Sequence, residues 1–261
     1  MTHGSLFSGI GGFDLAAQWA GFENIFQVEI DSYCQKVLAK NFPKVKRYLD
    51  IKEFDGTKYK GTIDIISGGF PCQPFSVAGK QKGGDDDRNL WPEMFRIIQE
   101  IKPTWIVGEN VAAIINFVEF DNLLADLEGE GFEIQTFIIP ACGVDAKHRR
   151  NRLWIVGYSN KFNGNNSGFR ASEISQFEKA GVLENMANPT SKGLEGKKSE
   201  SKFSRRESGL FTKCSKWSVE PGVGRVANGI PNRVDRLKGL GNAVVPQIPF
   251  RIFECIKYLT T

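Results

Sequence analysis

The sequence predicts a doubly wound α/β fold, in which helices cover both faces of a mostly parallel sheet. Over the first 158 residues, short apolar runs of strand length alternate with segments of helical periodicity. A glycine-rich turn also joins the first strand to the first helix, which is typical of nucleotide-binding α/β sheets. Both observations favour the same class of fold.

The elements follow one another at short intervals. The predicted strands are residues 4–7, 24–30, 63–67, 105–108, 132–140 and 152–158, and the predicted helices are 13–20, 32–42, 89–101, a segment around 123–127, and 246–259. From residue 159 the chain is rich in Ser, Asn, Gly and Lys and loses its periodicity. We therefore predict a catalytic and cofactor-binding domain of residues 1–158 plus 219–261, whose last helix packs back on the N-terminal part. Residues 159–218 form a small inserted region.

Composition favours a globular protein without metal or disulfides. Hydrophobic residues make up 41% of the chain and charged residues 25%, and no apolar run approaches the roughly 18 residues that span a membrane. The five cysteines are widely spaced and form no CxxC pair, so neither a disulfide framework nor a zinc site is expected. The N-terminus lacks an export signal, and we expect a cytoplasmic protein.

Charge is concentrated in the inserted region. Residues 159–217 contain 11 Lys and Arg residues against six Glu and no Asp, a net charge of +5, which leaves −1 for the remainder. A basic segment on a nearly neutral body is typical of proteins with a polyanionic partner. Charge alone is equally consistent with a solvated surface loop.

The glycine turn and the next strand predict a nucleoside site. Gly9, Gly11 and Gly12 follow a strand and open a helix, where glycine allows a sharp turn and a close approach to a ligand. Glu29 ends the second strand, where a carboxylate can bind ribose hydroxyls. The spacing is not GxGxxG, which favours a nucleoside without phosphates. Asp50, at the end of the segment where a further strand would lie, is either an adenine contact or a surface acid.

A candidate nucleophile follows the predicted strand at residues 63–67. Cys72 lies between Pro71 and Pro74 at the carboxyl end of a predicted parallel strand, which is where α/β sheets place their chemistry. Most cysteines are buried structural residues, but this position favours a reactive one. Glu109 follows the next strand, and it serves either as a salt-bridge partner or as a general acid beside the thiol.

Two arginines are predicted to face the same pocket. Arg150 and Arg152 alternate along a chain that we expect to be extended, so their side chains point to one side. Their guanidinium groups suit a phosphate, a base carbonyl or the carboxylate of Glu109. His148, which precedes them, has no nearby residue with which to hold a metal.

Five segments together resemble cytosine-5 DNA methyltransferases, in particular short phage or bacterial members. They are residues 7–12 (FSGIGG), 69–76 (GFPCQPFS), 109–111 (ENV), 150–152 (RNR) and 241–246 (GNAVVP), in the order of that family. The resemblance covers about residues 4–158 and 219–260, and it implies a Rossmann-like S-adenosylmethionine-dependent methyltransferase sheet with a small irregular target-recognition insertion. His148 departs from the pattern, because many members have Gln there.

The resemblance implies the chemistry of the site. Cys72 would add to carbon 6 of a flipped-out cytosine, Glu109 would protonate ring nitrogen 3, and Arg150 and Arg152 would steady the glutamate and the base carbonyl. Carbon 5 would then accept a methyl group from S-adenosylmethionine, leaving S-adenosylhomocysteine. The implied cofactor contacts are Phe7, Gly9, Gly11, Gly12, Glu29, Ile30, Asp50, Ile51, Pro71, Leu90, Asn242 and Ala243.

Double-stranded DNA is the partner that the resemblance implies. The loop at residues 79–84 (GKQKGG) is similar to the mobile loop that closes behind a flipped base, and otherwise it is simply a flexible loop. The expected DNA contacts are Gln73, Ser76, Lys80, Lys82, Arg205 and Arg206. We expect a monomer that needs no metal, although the small recognition region also allows a dimer.

Three other functions remain as alternatives. An RNA-directed relative, such as a tRNA cytosine-5 methyltransferase, would share most of these motifs, but it usually carries a Cys-Phe-Thr element that residues 213–215 do not match. A non-catalytic DNA-binding homologue would not need both Cys72 and Glu109. A nicotinamide oxidoreductase would need a different glycine spacing.

Overall fold

The computed structural model describes residues 1–71, 89–146, 148–159 and 233–260. Its strands are β1 (Thr2–Leu6), β2 (Glu23–Val28), β3 (Lys46–Tyr48), β4 (Ile65–Gly68), β5 (Trp105–Val111), β6 (Phe132–Pro140) and β7 (Asn151–Ser159). Its α-helices are α1 (Gly12–Trp19), α2 (Ser32–Asn41), α3 (Trp91–Ile101), α4 (Val118–Gly129), α5 (Arg233–Asn242) and α6 (Gln247–Thr260).

The seven strands form one sheet in the order β3-β2-β1-β4-β5-β7-β6. Strands β1 to β5 pair in parallel with their neighbours, whereas β7 is antiparallel to both β5 and β6. The chain moves outward from β1 to β3 and then returns to β4 on the other side of β1. Such a reversal of direction opens a crevice at the carboxyl ends of β1 and β4, where α/β sheets bind ligands.

Two hydrophobic clusters pack against the two faces of this sheet. One joins β-strand side chains such as Ile66 and Ile106 to helices α3 and α4, and the other joins Ile65 and Val107 to helices α1 and α6. Neighbouring residues of one strand therefore lie in different clusters, as the alternation of side chains requires. Strands that are buried on both faces are typical of a doubly wound fold, and the predicted fold class is confirmed.

The helix boundaries follow from local chemistry. The Asp31 side chain accepts hydrogen bonds from the backbone N–H groups of Tyr33 and Cys34 and so caps the start of α2. Helix α3 begins with Trp91 and Pro92, where a proline costs no hydrogen bond. Helix α6 returns to the N-terminal part of the chain, where Phe253 packs against His3 and Phe22.

Two features differ from the expectation. Strand β5 continues to Val111 rather than ending at residue 108, so Glu109 and Asn110 lie within the paired strand and not in a loop after it. Helix α5 was not predicted at all, because its sequence has three apolar residues and two glycines among ten positions. Its partners in the fold, described below, explain why it is helical.

The structure does not test the predicted bounds of the inserted region. Residues 160–232 lie outside the described part of the chain, so the division at 159–218 remains a prediction. Among the helices that the structure describes, none is long and apolar enough to cross a membrane.

Candidate active site

A cleft opens at the carboxyl ends of the central strands. It joins the glycine turn after β1 to the end of β4, to β5 and to the residues after α5. It is lined by Phe7, Ser8, Gly9, Ile10, Gly12, Phe13, Gly69, Glu109, Asn242, Ala243 and Val244. The predicted cofactor residues Phe7, Gly9, Gly12, Asn242 and Ala243 therefore share one cleft with the predicted catalytic residue Glu109.

A different structural requirement explains why glycine occupies each of these positions in the turn. Gly9 has a φ of 56°, and a Cβ there would meet nothing within 4 Å, so the backbone faces open space. Gly11 has a φ of 89° and caps the start of α1, and a Cβ would lie 2.5 Å from the ring of Phe42. A Cβ on Gly12 would lie 3.0 Å from the carbonyl oxygen of Val244. Gly12 thus permits close contact between the N-terminal turn and the C-terminal segment.

Glu29 is oriented by the backbone around it. Its Oε2 accepts a hydrogen bond of 2.7 Å from the N–H of Gly9, and its Oε1 accepts one of 2.8 Å from the N–H of Asp31. Each oxygen keeps further lone pairs for a ligand. The carboxylate is consequently held against Gly9, whose backbone lines the cleft.

Other predicted cofactor residues are not among the residues that line this cleft. Ile30 is 67% exposed, whereas the side chain of Ile51 is only 5% exposed and belongs to the hydrophobic core. Leu90 is the N-cap residue of α3, and Pro71 is half-buried at the last described position before residue 72. Ile51 can therefore offer a ligand its backbone but not its side chain.

Helix α5 packs against the glycine turn and against α2. Lys238 donates to Asp31 Oδ2 at 3.0 Å, in the same residue whose N–H binds Glu29. Gly239 lies against Ile10, since a Cβ there would be 3.3 Å from the Ile10 side chain. These contacts place the end of α5 beside the cleft. They also explain why a segment of weak helical pattern adopts this conformation.

The pairing of β5 with β7 brings an arginine to Glu109. Glu109 lies opposite Trp154 in the antiparallel ladder, so Arg152 is its diagonal neighbour on the same face of the sheet. Arg152 Nε donates to Glu109 Oε1 at 2.9 Å, and the Glu109 side chain is 14% exposed. This ion pair is at the edge of the cleft that Glu109 lines.

The position of Arg150 has a different cause from the one expected. Its φ is 33°, and it precedes the first residue of β7, so the chain is not extended there. Arg150 nevertheless contributes positive potential at Glu109. The left-handed backbone, rather than strand alternation, therefore brings the second arginine to this side.

The charge state of Glu109 reflects two opposing effects. Burial raises the pKa of the Glu109 carboxyl, while the charges of Arg152 and Arg150 and the hydrogen bond from Arg152 lower it. Burial is the larger effect, and the pKa stays above its usual value. A carboxyl of raised pKa can carry a proton and deliver it to a bound base.

Two residues near this carboxyl were not singled out from the sequence. A Cβ on Gly69 would lie 3.0 Å from Glu109 Oε2, so glycine leaves the room that the carboxylate occupies. The buried Asn110 donates from Nδ2 to the carbonyl oxygen of Phe70 at 3.3 Å, which ties β5 to the segment that leads to Cys72. The sequence does contain signals for both residues. Gly69 is a glycine shortly before Cys72, and Asn110 is an amide directly after Glu109.

A network of buried polar side chains lies next to the glycine turn. Gln27 Nε2 donates to Asp14 Oδ1 at 2.9 Å, and the Ser5 hydroxyl donates to Ser8 at 2.9 Å. Burial raises the pKa of Asp14 to about 6, although the hydrogen bond from Gln27 opposes the shift. Asp14 Oδ2 and Gln27 Oε1 have no hydrogen-bond partner among the described residues. Ser8, at the end of this network, lines the cleft.

The remaining predicted site residues lie outside the described part of the chain. They are the predicted nucleophile Cys72 and the six expected DNA contacts Gln73, Ser76, Lys80, Lys82, Arg205 and Arg206. The free cysteines that are described, Cys34, Cys142 and Cys255, were not among the predicted site residues. In the described ranges, no group of three or more metal-ligating side chains occurs.

The donor set of the cleft suits a nucleoside cofactor. Among the described residues that line it, none is Lys or Arg, and its walls combine backbone amides with Phe7 and Phe13. A pyrophosphate would be expected to meet cationic groups or a GxGxxG helix start. The carboxylate on the wall, Glu109, and the carboxylate of Glu29 behind Gly9 instead suit a cationic ligand and ribose hydroxyls.

Comparison with known proteins gives a consistent result. The family described as C-5 cytosine-specific DNA methylase matches residues 1–219. Type II methyltransferase M.Eco47II of Escherichia coli is 36% identical over 163 residues, which cover 59% of this chain and 39% of that protein. Type II methyltransferase M.HhaI of Haemophilus parahaemolyticus is 34% identical over 182 residues, which cover 67% of this chain and 54% of that protein. The chain thus spans about half, or less, of the length of these relatives.

Solved structures show the same fold. A putative DNA modification methyltransferase encoded within an E. coli prophage superposes with a TM-score of 0.54 and 29% identity, covering 64% of this chain and 49% of that one. A DNMT2 variant of Spodoptera frugiperda also gives a TM-score of 0.54, with 25% identity and coverage of 65% and 53%. Because the family match extends over more than half of the sequence, the chain belongs to the C-5 cytosine-specific DNA methylase family.

Proposed function

We propose that this chain transfers a methyl group from S-adenosylmethionine to carbon 5 of cytosine in double-stranded DNA. The observation that carries the proposal is the placement of Glu109. This buried carboxyl of raised pKa is paired with Arg152 and lines the same cleft as the glycine turn. A proton donor for a base and a nucleoside site are thereby adjacent, as transfer between a cofactor and a base requires.

Glu109 makes the cytosine ring reactive. Protonation of ring nitrogen 3 withdraws electrons from carbon 6, which then accepts a nucleophile. The arginine pair keeps a negative charge tolerable in this buried position after the proton has left, because two cations face the carboxylate. Arg152 also has donors left for the base carbonyl, since guanidinium carries five N–H groups.

Cys72 is the proposed nucleophile. Its thiolate forms a bond to carbon 6, and the electron pair displaced toward carbon 5 makes that carbon a nucleophile. S-adenosylmethionine, when bound, supplies the methyl group as an electrophile. Loss of the proton on carbon 5 then restores the double bond and breaks the bond between carbon 6 and sulfur. Asn110 donates to the carbonyl of Phe70, two residues before Cys72, and so ties the last described residues before it to β5.

The cofactor is proposed to lie along the glycine turn. Glu29 would bind the ribose hydroxyls, and Phe7, Gly9, Asn242 and Ala243 would contact the rest of the nucleoside. Asp50 would meet the adenine amino group. The product after transfer is S-adenosylhomocysteine.

We propose double-stranded DNA, a polyanion, as the partner that carries the target cytosine. The target base is inaccessible in a stacked duplex, so it must be flipped out at a cost of a few kcal/mol. The basic residues of 159–217 provide charge for phosphate contacts. Residues 79–84 are proposed to close behind the flipped base, with Lys80 and Lys82 on phosphates.

Two variants test the mechanism, Cys72→Ala and Glu109→Gln. Each is incubated with tritiated S-adenosylmethionine and duplex DNA, and cofactor binding is measured separately by calorimetry. A duplex with 5-fluorocytosine serves as a trap, because fluorine cannot leave as a proton and the covalent adduct persists. We expect no methylation and no adduct with Cys72→Ala, a loss of at least a hundredfold with Glu109→Gln, and cofactor affinity near that of the wild type for both.

Methyl transfer at the wild-type rate by Cys72→Ala would refute the covalent mechanism. A transfer RNA substrate is assayed in parallel with the duplex. Faster methylation of the RNA than of DNA would show that the chain is an RNA-directed relative. Absence of methylation with either substrate, despite cofactor binding, would favour a non-catalytic homologue.

A further inference from the structure

The segment that follows β3 carries Asp50 and Ile51 but has no regular secondary structure to hold it. Before it, the carbonyl oxygen of Tyr48 accepts hydrogen bonds from the N–H of Glu29 at 3.1 Å and from Gln35 Nε2 at 2.9 Å. The chain is thus well fixed up to Tyr48. Beyond Asp50 the local hydrogen bonds are those of a short turn, from the N–H of Lys52 to Asp50 Oδ1 at 2.9 Å and from the N–H of Phe54 to the Ile51 carbonyl at 3.3 Å, and contacts from another element add to them.

Arg96, on helix α3, makes those contacts. Its Nη2 donates to the carbonyl oxygen of Ile51 at 2.8 Å, and its Nη1 donates to that of Phe54 at 3.2 Å. Neither carbonyl takes part in a β-ladder, and both belong to residues whose side chains are buried. Without the guanidinium, two partly buried acceptors would lose their charged donors, which is a costly change.

Two glutamates of the same helix fix the orientation of the guanidinium. Arg96 Nε binds Glu93 Oε2 at 2.9 Å, and Nη1 binds Glu100 Oε1 at 2.6 Å. Glu100 Oε2 also accepts from the N–H of Gly56 at 2.8 Å, so the same cluster holds the far end of the segment. The Arg96 side chain is only 34% exposed, and the two carbonyls contact its buried side.

Helix α3 links this cluster to a second predicted cofactor contact. Leu90 is the N-cap residue of α3, and its carbonyl oxygen accepts from the N–H of Met94, one turn before the residues of the cluster. Asp50, Ile51 and Leu90 are therefore joined through one rigid helix. This arrangement would keep the two sides of an adenine site at a constant separation.

We propose that Arg96 is a positioning residue for the cofactor, acting through the carbonyl of Ile51 to hold Asp50 and Ile51 where the adenine ring binds. The proposal rests on the proposed function, since it takes these residues to contact S-adenosylmethionine. Arg96 itself touches no reacting atom. Its planar fork is needed because one rigid group must serve Ile51, Phe54 and both glutamates together.

The test compares Arg96→Lys and Glu93→Gln with a matched control. Lysine keeps the charge and an ion pair but cannot span both carbonyls, whereas Glu93→Gln weakens one ion pair and leaves the carbonyl contacts. The control is Arg251→Met on α6, where Arg251 pairs with Glu254 at 2.8 Å and, within the described residues, donates to no backbone carbonyl. We measure Kd for S-adenosylhomocysteine by calorimetry, KM for S-adenosylmethionine and for duplex DNA, kcat, and Tm.

We expect Arg96→Lys to raise Kd and the KM for S-adenosylmethionine about tenfold or more, with kcat at saturating cofactor and the KM for DNA within twofold of the wild type. Glu93→Gln should change Kd by less than threefold, and the Arg251 control should not change it. A lower Tm with an unchanged Kd in Arg96→Lys would overturn the inference and leave Arg96 a purely structural residue.

The two proposals fail in different ways. Wild-type protein that binds no S-adenosylhomocysteine would refute the proposed function and this inference with it. Wild-type protein that binds the nucleoside and methylates DNA, together with an Arg96→Lys variant of equal affinity, would refute the inference alone.

Discussion

Asp14 offers a direct test of the electrostatics below the glycine turn. Its carboxyl is fully buried, and no ion pair compensates for the loss of hydration. Burial raises the pKa of Asp14 from 3.8 to about 6. Compared with the unfolded chain, the folded protein therefore favours the protonated form of Asp14. Ionisation of this carboxyl destabilises the folded state.

The magnitude follows from linkage. A pKa that is raised on folding gives stability that is fully present below the unfolded value and is lost as the pH rises through the folded value. The window here extends from 3.8 to about 6. At about 1.4 kcal/mol for each pKa unit, the fully ionised carboxyl reduces the free energy of unfolding by about 3 kcal/mol. Most of that loss, about 2 kcal/mol, falls between pH 4 and pH 6.

Asn is the informative replacement at this position. It keeps an oxygen for the bond from Gln27 Nε2, and it replaces Oδ2, which has no partner among the described residues, with a donor. Gln27 Oε1 is also without a partner in the described chain, so a nearby acceptor exists for that donor. We expect Asp14→Asn to be more stable than the wild type at neutral pH.

The assay is urea unfolding of the wild type and Asp14→Asn at steps between pH 4.5 and pH 7.5. The difference in free energy of unfolding isolates Asp14, because titrations shared by the two proteins cancel. It should grow by about 2 kcal/mol over this range in favour of the variant, and then level off. Asp55→Asn is the control, since hydrogen bonds from Thr57 lower the pKa of that exposed carboxyl below 3.8, so its titration falls below the assayed range and the difference should stay flat.

A difference that does not vary with pH would refute the reasoning. It would mean that Asp14 keeps one protonation state in the folded and unfolded protein throughout the range. A difference that shrinks as pH rises would be a stronger contradiction, since it would require an unseen cation beside the carboxyl.

Two further predictions concern the same region. His3 is buried between Asn24 and Ser67, and burial lowers its pKa from 6.5 to about 4, so its contribution to stability is present above pH 6.5 and lost as pH falls toward 4. His3→Gln should therefore gain stability relative to the wild type as pH falls, opposite to Asp14→Asn, and parallel slopes in the same urea series would contradict this. Gly69→Ala should push its Cβ against Glu109 Oε2, 3.0 Å away, and reduce single-turnover methyl transfer about tenfold or more with little change in cofactor Kd. Wild-type turnover would show that the carboxyl has room to move.

The sequence was sufficient for the fold class because hydrophobic alternation and the glycine turn are local signals. It was less informative where a neighbour in space decides the structure. Helix α5 depends on contacts of Lys238 with Asp31 and of Gly239 with Ile10, some two hundred residues away in the chain. Likewise, Glu109 was placed in a loop because nothing local shows that β7 pairs with β5 as far as Val111.

In the candidate site, too, the sequence indicated some of the residues but not the tertiary contacts that place them. Arg152 beside Glu109 was expected from the order of motifs, but the reason is the register that sets Glu109 opposite Trp154. Arg150 reaches that side through a left-handed backbone that no periodicity predicts. Arg96 gave no signal, since an arginine in an amphipathic helix is ordinarily a surface residue.

The order of strands explains why the cofactor and the target base should meet in one cleft. The glycine turn follows β1, Gly69 follows the adjacent β4, and Glu109 lies on β5, the next strand. Neighbouring strands are about 4.8 Å apart, so the backbone positions span only about 10 Å across the sheet. A methyl donor lying on the glycine turn and a base held by Glu109 therefore need no large motion of the sheet to approach each other. The hydrogen bond from Asn110 to the Phe70 carbonyl also ties the residues after β4 to β5.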